Sequence, residues 1–322
     1  MSISFALTSG LAISRYDSME QAFLQFLANQ KQTLPTDGLG IGDDAAVLAW
    51  PADSKLVVCT DLISDETDFH LAEVTPQQIG RKALAINLSD IAAMACQPVG
   101  ALLTLLLPGG EASLELAQGI YQGAAKLGEQ FNCPIIGGDT NSWPGKVAVS
   151  ITVLGRCPFA KPLLRQGAQP GDAIFVTGSL GGSILGHHLD FIPRVDEALA
   201  LTQTCGLTAG MDISDGISID LPRLCKQSSV GAEIDVRQLP LTAAAQQLSQ
   251  KSGKPVWWHG LNDGEDFELL FTVPAADADQ LLAQWTNATP ITRIGTIRPE
   301  RELTMLGDDG TRQPLLPEGF SH

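Results

Sequence analysis

The chain has 322 residues, 44% of them hydrophobic, with a formal net charge of −16. That length is about twice a usual domain, so two domains, each with an ordinary core, are expected. The acidic balance excludes a nucleic-acid surface or an anionic membrane surface as a partner; it leaves room for an anionic small substrate, because bound divalent cations invert the sign of a local site.

From the N-terminus, apolar residues at 19, 23, 26 and 27 predict a helix over Ser18 to Asn29. Lys55 to Thr60 reads as a strand that runs into Asp61. Thr75-Pro76 opens a helix, with Thr as the cap and Pro at the first position, that continues to about Ala95. On it Asn87 and Asp90 share a face one turn apart. A second helix is predicted over Leu114 to Phe131, then a short buried strand, Pro134-Ile135-Ile136, that enters Gly137-Gly138-Asp139. Lys146 to Leu154 alternates Val147, Val149, Ile151 and Val153 with small or polar residues, the period of a half-buried strand. The Pro- and Gly-rich stretch Arg156 to Gly171 is the expected boundary, giving domains of residues 1–157 and 158–322. Beyond it come a strand over Ala173 to Thr177, a Gly-rich turn, a helix, an acidic turn at Asp212, a helix, a strand over Ala232 to Val236, a helix and a strand over Glu268 to Val273. Strands alternating with helices in both halves argue for two α/β domains.

Six acidic motifs punctuate this order at strand ends, turns and helix edges: Gly42-Asp43-Asp44, Thr60-Asp61, Asn87-Leu88-Ser89-Asp90, Gly137-Gly138-Asp139-Thr140, Asp212-Ile213-Ser214-Asp215-Gly216 and Gly264-Glu265-Asp266. Carboxylates flanked by Gly, Ser and Thr suit a hard cation such as Mg²⁺, which takes oxygen ligands and keeps waters and substrate phosphates as further partners. Each motif also has a bland reading: a surface turn for Asp43-Asp44, a helix cap for Ser214 or Asp215. Six cysteines form no C-x-x-C pair and only five His occur, which points to buried thiols rather than a disulfide frame or a zinc site. There is no Walker A loop and no Gly-x-Ser-x-Gly elbow. Gly178 to Gly186 follows a strand and could suit phosphate, but it lacks the full dinucleotide fingerprint and a sharp turn is the better reading; Trp257-Trp258 suits core or interface, and the adjacent His187 and His188 point in different directions on a helix. The longest apolar run, Ala101 to Leu107, is too short to span a bilayer, and the opening residues lack a signal peptide's basic region, so the cytoplasm is the expected location.

The order of these motifs resembles the thiamine-monophosphate kinase family, in the superfamily of aminoimidazole ribonucleotide synthetase. The resemblance runs from about Gly40 to the C-terminus through Ile41-Gly-Asp-Asp-Ala-Ala-Val, Lys82-Ala-Leu-Ala-Ile-Asn-Leu-Ser-Asp-Ile-Ala-Ala-Met, Gly137-Gly-Asp-Thr, Leu164-Arg-Gln-Gly-Ala-Gln-Pro-Gly-Asp, Asp212-Ile-Ser-Asp-Gly and Gly264-Glu-Asp-Phe-Glu-Leu. It implies a two-domain α/β (α+β) fold whose N-terminal strands form a shared barrel in a homodimer. It also implies phosphorylation of thiamine monophosphate by ATP, with several Mg²⁺ ions. Carried over motif by motif, the metal ligands are Asp44, Thr60, Asp61, Asp90, Asp139, Asp212 and Asp215. ATP falls to Tyr121, Gly138, Asp139, Arg165 and Ser214, and the thiamine side to Asp68, Glu265 and Phe320. No covalent nucleophile is expected: the acceptor phosphate is already ionised, and the difficulty is bringing two polyanions together. The chain departs from the family at Asp68, which stands where relatives carry His, with His70 displaced nearby; at Asn141-Ser142-Trp143, which lacks an Arg; and at the C-terminus, which lacks a final Phe. The competing readings are an ATP-dependent enzyme of the same superfamily with another small acceptor, and a non-catalytic nucleotide-binding scaffold.

Overall fold

The computed structural model describes residues 22–27, 29–30, 45–46, 48–110 and 112–319. The chain divides into two compact units. The first gathers Val58–Asn87 and Val99–Leu154 with the residues before Ser54; the second gathers Ser54–Val57, Leu88–Pro98 and everything from Gly155.

In the first unit residues 22–27 are helical (α1). A four-stranded sheet has the order β1-β4-β2-β3, from β1 (Lys55–Ser64), β2 (Gln97–Pro108), β3 (Ile135–Trp143) and β4 (Ala148–Cys157). Helix α2 (Pro76–Ala93) begins where the sequence places it, and Thr75 closes a reciprocal cap: its hydroxyl accepts from the Gln78 N–H at 3.3 Å while its own N–H donates to Gln78 Oε1 at 2.9 Å. Helix α3 (Ser113–Gln130) crosses α2 closely. A Cβ at Gly80 would lie 1.8 Å from the Ile120 carbonyl, and one at Gly123 would lie 1.9 Å from that of Gln77, so glycine lets the two backbones touch. β4 shows the alternation its sequence predicts, with Val149, Ile151 and Val153 wholly buried.

Two strands run further than the sequence suggests. β1 continues through Thr60 and Asp61 to Ser64, so both residues lie inside a strand rather than at its end. β3 continues through Gly137, Gly138 and Asp139 to Trp143 because it pairs in parallel with β2, Leu103 facing Gly138 and Thr104 facing Asp139. A Cβ at Gly138 would meet the Leu103 carbonyl at 1.8 Å; only glycine keeps the two strands in register there.

The second unit is built on a seven-stranded sheet of order β11-β10-β7-β9-β5-β8-β6. Its strands are β5 (Ala173–Thr177), β6 (Ala209–Asp212), β7 (Gly231–Asp235), β8 (Leu269–Val273), β9 (Ile291–Arg298), β10 (Leu303–Leu306) and β11 (Arg312–Pro314). Every neighbouring pair is antiparallel except β7–β10. The helices are α4 (His187–Asp190), α5 (Val195–Thr204), α6 (Ile217–Ser228), α7 (Ala243–Ser252), α8 (Val256–Asn262) and α9 (Ala275–Gln284). Ile174, Val176, Met211, Leu221, Leu224 and Leu270 join a single core that places α6 against the sheet. The three C-terminal strands carry no expectation from the sequence, and the last two of them, at four and three residues, are too short to show a period.

Candidate active site

In the first unit the proposed ligands stand on strands. The Thr60 hydroxyl is exposed and lies 2.9 Å from Thr152 Oγ1 and 3.2 Å from the Ile151 carbonyl, to which it donates. Asp61 is half-buried beside it. Gly138 and Asp139 are exposed, and Asp139 Oδ1 accepts from the following Thr140 N–H at 2.9 Å. Tyr121, on α3, is buried at 6% exposure; its ring meets that of Phe26 edge-on at 5.6 Å, and burial raises its phenol pKa. Asp68 closes a turn. Its Oδ2 accepts from the Ser64 N–H at 2.7 Å, and its carbonyl accepts at 2.9 Å from the Lys82 ammonium, which is buried at 1% exposure. His70 is exposed. Asp43, Asp44 and Phe320 lie outside the described residues.

The second unit brings its acidic motifs together. β6 ends at Asp212, and the backbone then zips onto the Gly264–Leu269 segment. The Ile213 N–H donates to the Glu268 carbonyl at 2.8 Å, Glu265 N–H to the Ser214 carbonyl at 2.6 Å, and Phe267 N–H to the Ile213 carbonyl at 2.9 Å. Glu265 and Phe267 adopt left-handed φ values of 51° and 49°, an uncommon conformation for side-chain-bearing residues, here on either side of the buried Asp266. Asp212 is 4% exposed and its Oδ2 accepts from Ser89 Oγ at 2.7 Å, so the Asn87-Leu88-Ser89-Asp90 motif reaches the Asp212 turn through its serine. Asp90 is half-buried on α2. Arg165 is exposed, and among the described residues its guanidinium makes no ion pair.

The helix-cap reading of Ser214 and Asp215 is set aside by Asp220. Gly216 caps α6 with no side-chain hydrogen bond. It is Asp220, one turn inside α6 and fully buried, whose Oδ2 accepts from the N–H groups of Ser214 (3.0 Å) and Asp215 (2.9 Å). Burial, with the Asp212 and Asp215 charges adding to it, pushes the Asp220 carboxyl up to about 7 against the opposing pull of the Asp215 N–H and Arg223. Arg223 Nη1 bridges Asp215 Oδ2 at 2.6 Å and Asp220 Oδ1 at 2.8 Å. Sequence reading passed over both residues, although their i,i+3 spacing on a helix opened by an acidic turn was a usable signal.

The Gly178–Gly186 turn has its bland reading. The Gly181 N–H donates to Asp266 Oδ1 at 2.8 Å and the Gly182 N–H to Asp263 Oδ2 at 2.7 Å, so these amides are taken by the protein's own carboxylates. Asp266 is 1% exposed; burial, with the nearby Glu268, Asp263 and Asp220 charges adding to it, drives its pKa well above the carboxylate range. His187 and His188 bond the carbonyls of Asp266 and Ser183 at 3.1 and 2.8 Å. Trp257 packs on the core with its Nε1 on Asp308.

Among the described residues no group of three or more His, Cys, Asp or Glu could hold a metal ion. The donor chemistry nonetheless fits Mg²⁺: the side chains are oxygen donors, and Asp212, Asp215 and the Asp220 that holds the Ser214 and Asp215 amides stand on one short turn and the helix it opens. An ion held by one or two carboxylates and completed by water and phosphate needs no all-protein cage.

The fold and the site define a protein class, the AIR synthase related proteins: the model of their N-terminal domain matches residues 42–157 and that of their C-terminal domain matches 169–308. The thiamine-monophosphate kinase of Rhodopirellula baltica is 42% identical, covering 94% of this chain and 97% of its own. The crystal structure of thiamine-monophosphate kinase from Stenotrophomonas maltophilia K279a matches with a TM-score of 0.75 at 30% identity, over 94% of this chain and 97% of that one. A structure described as AaThiL complexed with AMPPCP and TMP matches at 0.73 and 25% identity over the whole of both chains. The chain belongs to the thiamine-monophosphate kinase family.

Proposed function

We propose that this protein transfers the γ-phosphoryl group of ATP to thiamine monophosphate, giving thiamine diphosphate and ADP. The observation that supports this reading is the zipped pair of segments Asp212–Gly216 and Gly264–Glu268, which holds Asp212, Ser214, Asp215 and Glu265, residues inferred for metal, phosphate and acceptor, on one hydrogen-bonded frame. A relative solved with AMPPCP and TMP supports the same pair of ligands here.

An oxygen of the acceptor phosphate attacks the γ-phosphorus, the bond to the β,γ-bridging oxygen breaks, and ADP departs. The attacking oxygen is already ionised at neutral pH, so no residue has to remove a proton. When bound, Mg²⁺ supplies charge neutralisation between phosphates and carboxylates. The inferred ligands are Thr60, Asp61 and Asp139 in the first unit and Asp90, Asp212 and Asp215 in the second, with Asp44 joining by motif. Tyr121, Gly138 and Asp139, and in the second unit Arg165 and Ser214, fall to ATP; Asp68, Glu265 and Phe320 fall to the thiamine side. One oxygen of Asp68 is held by the Ser64 amide, which turns its charge into a turn-former and lessens the repulsion an acceptor phosphate meets.

We further infer a homodimer and a cytoplasmic location. β1 exposes Leu56, Val58 and Leu62 at 52%, 53% and 65%, an alternating apolar row of the kind a partner covers. No helix among the described residues is long and apolar enough to cross a membrane. The decisive assay is ADP release with thiamine, thiamine monophosphate and aminoimidazole precursors side by side. Turnover on thiamine monophosphate alone is the expected result; binding of Mg-ATP without that turnover would leave only the superfamily.

A further inference from the structure

Arg223, on α6, pairs with the acidic turn Asp212–Gly216 through Asp215. Its Nη1 sits 2.6 Å from Asp215 Oδ2 and 2.8 Å from Asp220 Oδ1. The two carboxylates differ in what else they do. Asp220 is wholly buried and also takes the Ser214 and Asp215 amides, so it is a fixed anchor that belongs to the fold. Asp215, by contrast, has Arg223 as its side-chain partner among the described residues, and its side chain is 12% exposed. Arg223 itself is 44% exposed, so the guanidinium reaches Asp215 from the solvent side while its i,i+3 partner on α6 tethers it. The guanidinium side of this pair is open to solvent although Asp215 is nearly buried, so a compact divalent cation can compete for the same carboxylate oxygen. An arginine released beside a phosphate has a planar fork suited to two phosphate oxygens.

We propose that Arg223 is a tethered counter-ion that holds Asp215 until a divalent cation takes that carboxylate, and then turns its guanidinium to a phosphate of the bound substrates. Arg223 is thus a positioning residue first and a phosphate contact second. The inference rests on the reading of Asp215 as a metal ligand. It carries a consequence that a merely structural ion pair lacks: loss of the guanidinium moves two affinities in opposite directions. Metal alone binds tighter, because the competitor and its positive charge are gone. Mg-ATP binds more weakly, because a phosphate donor is gone.

The test compares the wild type with Arg223→Gln, Arg223→Lys and Asp215→Asn as full-length proteins. Nucleotide-free Mn²⁺ binding is followed by the loss of the free-ion electron paramagnetic resonance signal, and KM for Mg-ATP is measured separately. For Arg223→Gln we expect Mn²⁺ to bind about fivefold tighter, and KM for Mg-ATP to rise about fivefold or more. Arg223→Lys, which keeps the charge and loses the fork, leaves Mn²⁺ affinity near wild type and still raises KM. A thermal melt of each variant shows that it is folded. Mn²⁺ affinity that is unchanged or weaker in Arg223→Gln overturns the proposal, and so does an unchanged KM for Mg-ATP. If Asp215→Asn binds Mn²⁺ as the wild type does, the metal reading of Asp215 fails and the proposal falls with it; if Asp215→Asn loses an ion and Arg223→Gln does not gain affinity, the metal reading stands and this proposal alone is wrong.

Discussion

The two units carry their proposed site residues in opposite ways. In the first, Thr60, Gly138 and Asp139 are exposed on strands whose positions are set by backbone pairing, and the side chains are lightly held. In the second, Asp212 and Asp215 are 4% and 9% exposed and belong to a network with the buried Ser89 and Asp220, which Arg223 closes from the solvent side. The first arrangement separates function from stability; the second joins them. An exposed carboxylate can be neutralised without leaving a desolvated partner behind, whereas removing one member of a buried network strands the others.

The largest expected effect tests the first half of that contrast. Asp139→Asn should lower kcat/KM for thiamine monophosphate by roughly a hundredfold or more while the melting temperature stays within about 2 °C, since the side chain touches only its neighbour's amide. Asp212→Asn should lose as much activity and also shift the melting temperature, because Ser89 loses its charged partner. Equal stability of the two variants would erase the distinction. Gly138→Ala breaks the first unit through its backbone instead: the added Cβ would lie 1.8 Å from the Leu103 carbonyl, and a loss of about 2 kcal/mol or more in urea unfolding is expected.

A finer comparison sets two hydroxyls against each other. Ser89→Ala leaves the buried Asp212 Oδ2 short of a donor and should cost about 1–2 kcal/mol. Thr60→Ala removes an exposed hydroxyl and should cost under about 0.5 kcal/mol, although it should weaken Mg²⁺ activation. Matching losses in chemical denaturation would show that burial does not separate the two units.

The last comparison is one of pH. Burial raises the folded pKa of Asp266 well above 3.8, so between its unfolded and folded pKa values the native state holds a proton that the unfolded chain releases. Its contribution is fully present below the unfolded pKa and declines as pH rises towards the folded pKa, at about 1.4 kcal/mol per pH unit at most. Asp266→Asn keeps a neutral acceptor for the Gly181 amide and should therefore gain on the wild type as pH rises above the unfolded pKa. A constant difference across that range, read from urea midpoints, would contradict the protonated state.

Much of this was legible before folding. The alternation of Val149, Ile151 and Val153 specified β4, Thr75-Pro76 marked the start of α2, and strand-helix order indicated two mixed units, because these signals are local and each residue type reports its own backbone preference. The acidic motifs and their order indicated the family for the same reason. Tertiary structure alone decided what those acids do. β3 runs through Gly138 and Asp139 only because β2 lies beside it with room for no Cβ. Asp266 stands in an acidic motif and is a buried anchor of the Gly181 turn, whereas Asp220 drew no notice and organises the Asp212–Gly216 turn. A carboxylate's role depends on its desolvation and on which donors face it: Gly181 and Ser89 reach Asp266 and Asp212 from scores of positions away, and the burial of Asp220 comes from the packing of α6.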